Sequence, residues 1–137
     1  MLSKPKNGWS SWCVKDFIHP ISYIDDMPFV LLDKIIDFFD KEECQEIEFD
    51  AEGYFYKIYL GFPVYGVAKY GDMVTIADDM VLFTNEILSD IETDIKDWSE
   101  FPTYSESETD ALFIEKELEK RINDVKGAMK RWMERSM

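Results

Sequence analysis

Apolar residues along this chain recur with two periods, two and about 3.6, and the alternation between them predicts its elements. Residues 9–14 (WSSWCV) and 16–24 (DFIHPISYI) read as extended pieces. Pro20 cannot donate to a ladder and marks an edge strand or a bend. Apolar residues at 29, 32, 35, 36 and 39 then fall at helical spacing, and Val30, Leu31 and Phe38 widen the stripe. This predicts a helix buried on more than one side, capped by Asp25 or Asp26, with Pro28 in its first turn, ending near residues 40–43.

Period two returns in residues 44–50, where Ile47 and Phe49 face one way and Glu46, Glu48 and Asp50 the other. Residues 50–53 read as a hairpin turn with Gly53 free to take a positive φ. Residues 54–60, 64–70 and 73–77 complete a meander, broken at Gly61-Phe62-Pro63 and turned at Gly71-Asp72. A second helix over residues 80–99 follows a cap at Asp78 or Asp79, with Thr84, Ile87, Leu88, Ile91, Ile95 and Trp98 inward. Pro102 ends it, and a polar loop, 103–109, offers capping-box patterns at Ser105 and Ser107. The last helix spans 108–134, with Ala111, Ile114, Leu118, Ile122, Val125, Met129 and Trp132 at steps of three and four, close to a heptad. The order ββα-ββββ-αα predicts an α+β fold, an antiparallel β-sheet with helices packed on one face. At 137 residues it is read as a single domain, residues 1–137, with residues 1–8 a flexible basic lead-in.

Charge changes the picture more than composition does. The total is −14, from 29 acids against 15 bases. Residues 1–15 carry +3 and residues 120–137 carry +4, which leaves the body, residues 16–119, at −21. Residues 78–110 alone hold eleven carboxylates and one cation, Lys96, yet keep helical apolar spacing. Glu86, Asp90, Asp94 and Asp97 stand four, four and three apart and are expected on one outward face. Glu100, Glu106 and Glu108 extend that acidic surface. Such a field repels phosphate backbones and anionic lipid and attracts basic surfaces.

Candidate chemistry is sparse. Cys13 and Cys44 are too few for a disulfide framework, are not spaced for a metal, and are expected to be small buried residues. His19 is the single histidine and has no paired base in the sequence. Adjacent acids at 25–26 and 78–79 read as helix caps rather than metal ligands, and no calcium-loop, phosphate-loop or zinc-protease pattern occurs. A restriction-type nuclease site lacks its Glu-x-Lys strand. The aromatics Trp9, Trp12, Tyr54, Tyr56, Tyr59, Tyr65 and Tyr70 read as sheet packing, with tyrosines available as interface anchors.

These observations predict no catalytic residues, metal or cofactor. They point to a cytoplasmic, non-enzymatic protein that binds a basic protein partner, a nuclease or nucleic-acid-binding protein, and neither nucleic acid nor membrane directly. Immunity proteins against nuclease toxins and phage-type inhibitors such as anti-CRISPR proteins share this size and charge. Self-association through the last helix, as a homodimer or adaptor, is the alternative.

Overall fold

The computed structural model of the chain describes residues 1–68, 71, 73–101 and 108–136, the side chains of 108 and 109 apart. Its elements are β1 (Trp9–Val14), β2 (Phe17–Ser22), α1 (Phe29–Lys41), β3 (Gln45–Asp50), β4 (Phe55–Leu60), β5 (Val64–Ala68), β6 (Val74–Ala77), α2 (Met80–Thr93), α3 (Ile95–Glu100) and α4 (Glu108–Arg135). This is the α+β order ββα-ββββ-αα, with the strands divided between two antiparallel sheets.

The four-stranded sheet runs β3-β4-β5-β6 as a meander. Period-two patterning sets its faces: Ile47, Phe49, Tyr56, Ile58, Leu60 and Val64 are buried, while Glu46, Glu48 and Phe55 are exposed. The second sheet is the β1–β2 hairpin, which packs on the buried face of the first through side chains. Trp12 meets Phe49 edge-on at 5.8 Å and stacks on Phe83 of α2 at 6.2 Å. Phe17 lies against β5 at Gly66, where a Cβ would stand 2.5 Å from the ring. Glycine is required there by that close approach. Pro20 pairs opposite Ser11 in β2, which has a single partner strand and tolerates the missing donor.

Residues 1–8, expected to be a flexible lead-in, are instead tied along β1. Leu2 bridges to Trp12 and is buried, the Ser3 N–H donates to the Ser11 carbonyl at 3.0 Å, and the Met1 carbonyl accepts from the Cys13 N–H at 2.8 Å. A basic composition alone could not reveal that one leucine anchors this segment.

Helix limits also move. Neither Asp25 nor Asp26 caps α1. Its N-cap is Pro28, without a side-chain bond, and Asp26 sits in the left-handed region at φ 53°. Asp25 closes a 3-10 turn, Tyr23–Asp25, and accepts from the Asp50 N–H at 3.0 Å, stitching this turn to the end of β3. In the β3–β4 hairpin the positive φ falls on Glu52, at 58°, rather than on Gly53. The helix expected over 80–99 breaks at Asp94 (φ −116°, ψ 35°) into α2 and α3. Just before the break the Thr93 hydroxyl donates to the Ser89 carbonyl at 2.7 Å, a back-bond that bends helices. The expected Asp79 cap is present: its carboxylate accepts from the Leu82 N–H at 2.9 Å. The Gly71-Asp72 turn lies partly outside the described residues, as do the Ser105 and Ser107 patterns.

The long helix α4 packs on α1 and α3. Its buried stripe is Ile114, Leu118, Ile122, Val125 and Ala128, with Met129 and Trp132 partly buried beyond it. The heptad-like pattern is therefore used within the chain.

Candidate functional site

The acidic surface is assembled from three helices, and its carboxylates differ in how they are balanced. Glu86 and Asp90 project from α2, Asp94 occupies the junction, and Asp97 and Glu100 belong to α3. Asp90 is engaged: it accepts from the Leu2 N–H at 2.9 Å and stands 3.2 Å from the Met1 ammonium. Asp97 lies 3.7 Å from the Lys4 ammonium. The Met1 ammonium and Lys4 thus engage two of the predicted binding carboxylates. Glu86, Asp94 and Glu100 make no ion pair among the described residues. Glu106 lies outside the described residues, and Glu108 opens α4 with its side chain undescribed.

The C-terminal cations behave differently from a free basic tail. Arg131 forms a bidentate pair with Asp40, both oxygens at 3.1 Å from Nη2. Arg135 reaches Glu42 and donates to the Phe39 carbonyl at 2.7 Å. Arg121 pairs with Asp33. These bonds fasten α4 to α1 and leave α2–α3 almost untouched, the exception being Lys126 to Glu92 at 3.0 Å. On the N-terminal half of α4, Glu115, Glu117 and Glu119 add carboxylates without an ion pair among the described residues.

Beside these carboxylates lie two side chains that sequence reasoning did not single out. Leu112 is 56% exposed and Phe113 66%. The signal was present, because both fall outside the three-and-four stripe that predicts the buried face of α4.

A second polar cluster joins β2, β4 and the turn at Asp25. His19 Nδ1 is 2.7 Å from the Tyr54 hydroxyl, and its ring stacks on Tyr56 at 4.9 Å. The Tyr56 hydroxyl donates to the Pro20 carbonyl at 2.7 Å. Burial lowers the pKa of His19 and raises those of both tyrosines. Burial, aided by nearby Asp50 and Glu52, lifts Asp25 from 3.8 to about 6, against the opposing pull of the Asp50 N–H. The cluster locks the β1–β2 hairpin to the sheet, with the hydroxyl of Tyr56 and one nitrogen of His19 already engaged.

Both cysteines, expected buried, are exposed. They sit at Cys13 in β1 and just before β3, where the alternation places them outward. Among the described residues no group of His, Cys, Asp and Glu is arranged to hold a metal ion. Among them, too, no helix is long and apolar enough to cross a membrane. Comparison with protein-family models, with curated proteins and with solved structures finds no match for this chain.

Proposed function

We propose that this chain is a non-enzymatic, cytoplasmic acidic protein that binds a basic protein partner through the surface of α2, α3 and the N-terminal half of α4. One observation carries the reading. At the chain's ends the Met1 ammonium, Lys4, Arg121, Lys126, Arg131 and Arg135 pair with Asp90, Asp97, Asp33, Glu92, Asp40 and Glu42 in that order, while Glu86, Asp94, Glu100, Glu115, Glu117 and Glu119 have no ion pair among the described residues. These six carboxylates stand on α2, α3, the junction between them and the N-terminal half of α4. Glu115 and Glu119, four residues apart on α4, have Cβ atoms about 5–6 Å apart, the same order as the charge spacing along a nucleic-acid strand, roughly one per 3.4 Å of axis. Such a surface suits the basic groove of a nuclease or nucleic-acid-binding protein, with Arg–carboxylate pairs supplying specificity and the long-range field a fast on-rate. The matching roles are an immunity protein for a nuclease toxin and a phage-type inhibitor such as an anti-CRISPR protein, acting as a nucleic-acid mimic.

Self-association through α4 has less to draw on, because the stripe it needs is buried against α1 and α3.

The test is affinity capture on immobilised protein at about 100 mM salt, where the Debye length is about 10 Å. The same capture is repeated with a Glu86→Lys/Asp94→Lys/Glu100→Lys variant. Retention of basic proteins that duplex DNA displaces, lost with the variant, is the expected result. No retention by the wild-type chain, or equal retention by the variant, defeats the proposal.

A further inference from the structure

We propose that Leu112 and Phe113 form the apolar anchor of this acidic surface, and that it docks a cationic amphipathic helix of the partner. The inference rests on the acidic-binding reading and adds where, and by what chemistry, the partner is held.

The two side chains form a ridge on α4 between two open clefts. The cleft toward α3, about 200 Å³, has Leu112 as an apolar wall and Glu100 and Glu115 at its rim. The cleft toward α1, about 300 Å³, is floored by Phe29, Phe113 and Ile114, with Asp110 and Glu117 beside it. Among the described residues Lys96 is the cation that lines them. Each cleft thus pairs an apolar floor with carboxylates.

The chain itself shows what such a setting attracts. The Arg121 guanidinium lies 5.9 Å over the Phe29 ring while pairing with Asp33. A cation over an aromatic ring beside a carboxylate is favourable. A partner helix fits the ridge better than an extended chain, because apolar residues at i, i+3 and i+4 straddle one helical ridge and enter the grooves on either side. Lysines or arginines flanking those anchors reach Glu100, Glu115 and Glu117. Apolar anchors surrounded by charge are the usual centre of binding energy in an interface. A second copy of this chain is disfavoured as occupant, since each carries −14 and the same acidic rim.

The experiment compares two fluorescent peptides of equal length and charge, a Lys/Leu amphipathic helix and polylysine, at about 100 mM salt. Anisotropy measures affinity, and amide shifts of isotope-labelled protein locate the site. The amphipathic peptide is expected to bind about tenfold or more tighter than polylysine, with shifts concentrated at residues 110–117. An L112S/F113S variant keeps its charge and, with both residues exposed, its unfolding midpoint. It is expected to bind both peptides at the polylysine level. E115Q/E117Q is expected to weaken both peptides together. If L112S/F113S retains full affinity for the amphipathic peptide, or the shifts map elsewhere, the anchor is overturned while the acidic-binding reading stands. If neither peptide binds, both fall. A concentration-dependent dimer of the wild-type chain that L112S/F113S abolishes assigns the ridge to a second copy and overturns the proposal.

Discussion

The two ends of α4 carry opposite charge, and the fold treats them oppositely. At the C-terminal end Arg131 and Arg135 meet Asp40, Glu42 and the Phe39 carbonyl, so the basic residues serve as fasteners between α4 and α1. At the N-terminal end Glu115 and Glu117 line clefts without an ion pair among the described residues, next to exposed Leu112 and Phe113. Charge therefore has different consequences at the two ends. Where opposite charges meet on packed helices, the local field cancels and the pair contributes to docking. Where carboxylates accumulate, the field persists and is available to a partner.

The largest effect should come from the stripe that both ends share. Leu118 is fully buried between them, and Leu118→Ala should cost about 2–5 kcal/mol in urea denaturation. A loss below about 1 kcal/mol would show that α4 is not part of the core. Next comes a carboxylate that the fold does use. Asp90→Ala removes the acceptor for the Leu2 N–H and the partner of the Met1 ammonium, and should cost about 1–2 kcal/mol. Amide exchange at Leu2 and Ser3 should accelerate with it, and unchanged protection would contradict the docking of residues 1–6.

Asp25 presents the opposite case, a carboxylate the fold disfavours. Its folded pKa, about 6, exceeds its ordinary 3.8, so the protonated form favours the folded state. That contribution is fully present below about pH 4 and is lost as pH rises through about 6. Asp25→Asn keeps an acceptor for the Asp50 N–H and removes the charge. It should raise the thermal midpoint above pH 6 by an amount worth under about 1 kcal/mol after solvent screening, and leave it unchanged near pH 3.5. A gain independent of pH would locate its origin elsewhere.

The smallest effects separate the two ends of α4 directly. Arg131→Ala should destabilise by about 0.2–1 kcal/mol, as a half-exposed bidentate pair. Glu86→Gln should change stability by at most about 0.5 kcal/mol, in the stabilising direction, because it relieves the four-residue spacing to Asp90. If Glu86→Gln proved as costly as Arg131→Ala, the contrast between used and surplus charge would fail.

Much of the architecture was legible in residue order. Alternation at Ile47 and Phe49, the Asp79 cap and the stripe from Ile114 to Val125 are local patterns that the fold keeps. Their physical basis is short-range: side-chain direction follows from backbone period. The misses are long-range. Asp25 looked like a cap from its neighbours in sequence and instead bonds to Asp50, 25 residues away. The lead-in looked mobile from its lysines and is held by Leu2 against Trp12. The cysteines looked apolar by residue type and face outward by strand register.

The acidic surface divides in the same way. Its location along the chain, residues 78–110, and its sign follow from composition, because carboxylates ionise wherever they remain solvated. Which carboxylates stay available is a question of partners, and partners come from tertiary packing. Only the packing of α4 on α1 and α3 shows that the C-terminal arginines, Arg121, Arg131 and Arg135, are directed to Asp33, Asp40 and Glu42. Only the docking of residues 1–6 on β1 shows that Asp90 and Asp97 are engaged. Charge is a property of the residue. The field it leaves at the surface is a property of the distances between residues far apart in sequence, and those distances are set by the fold.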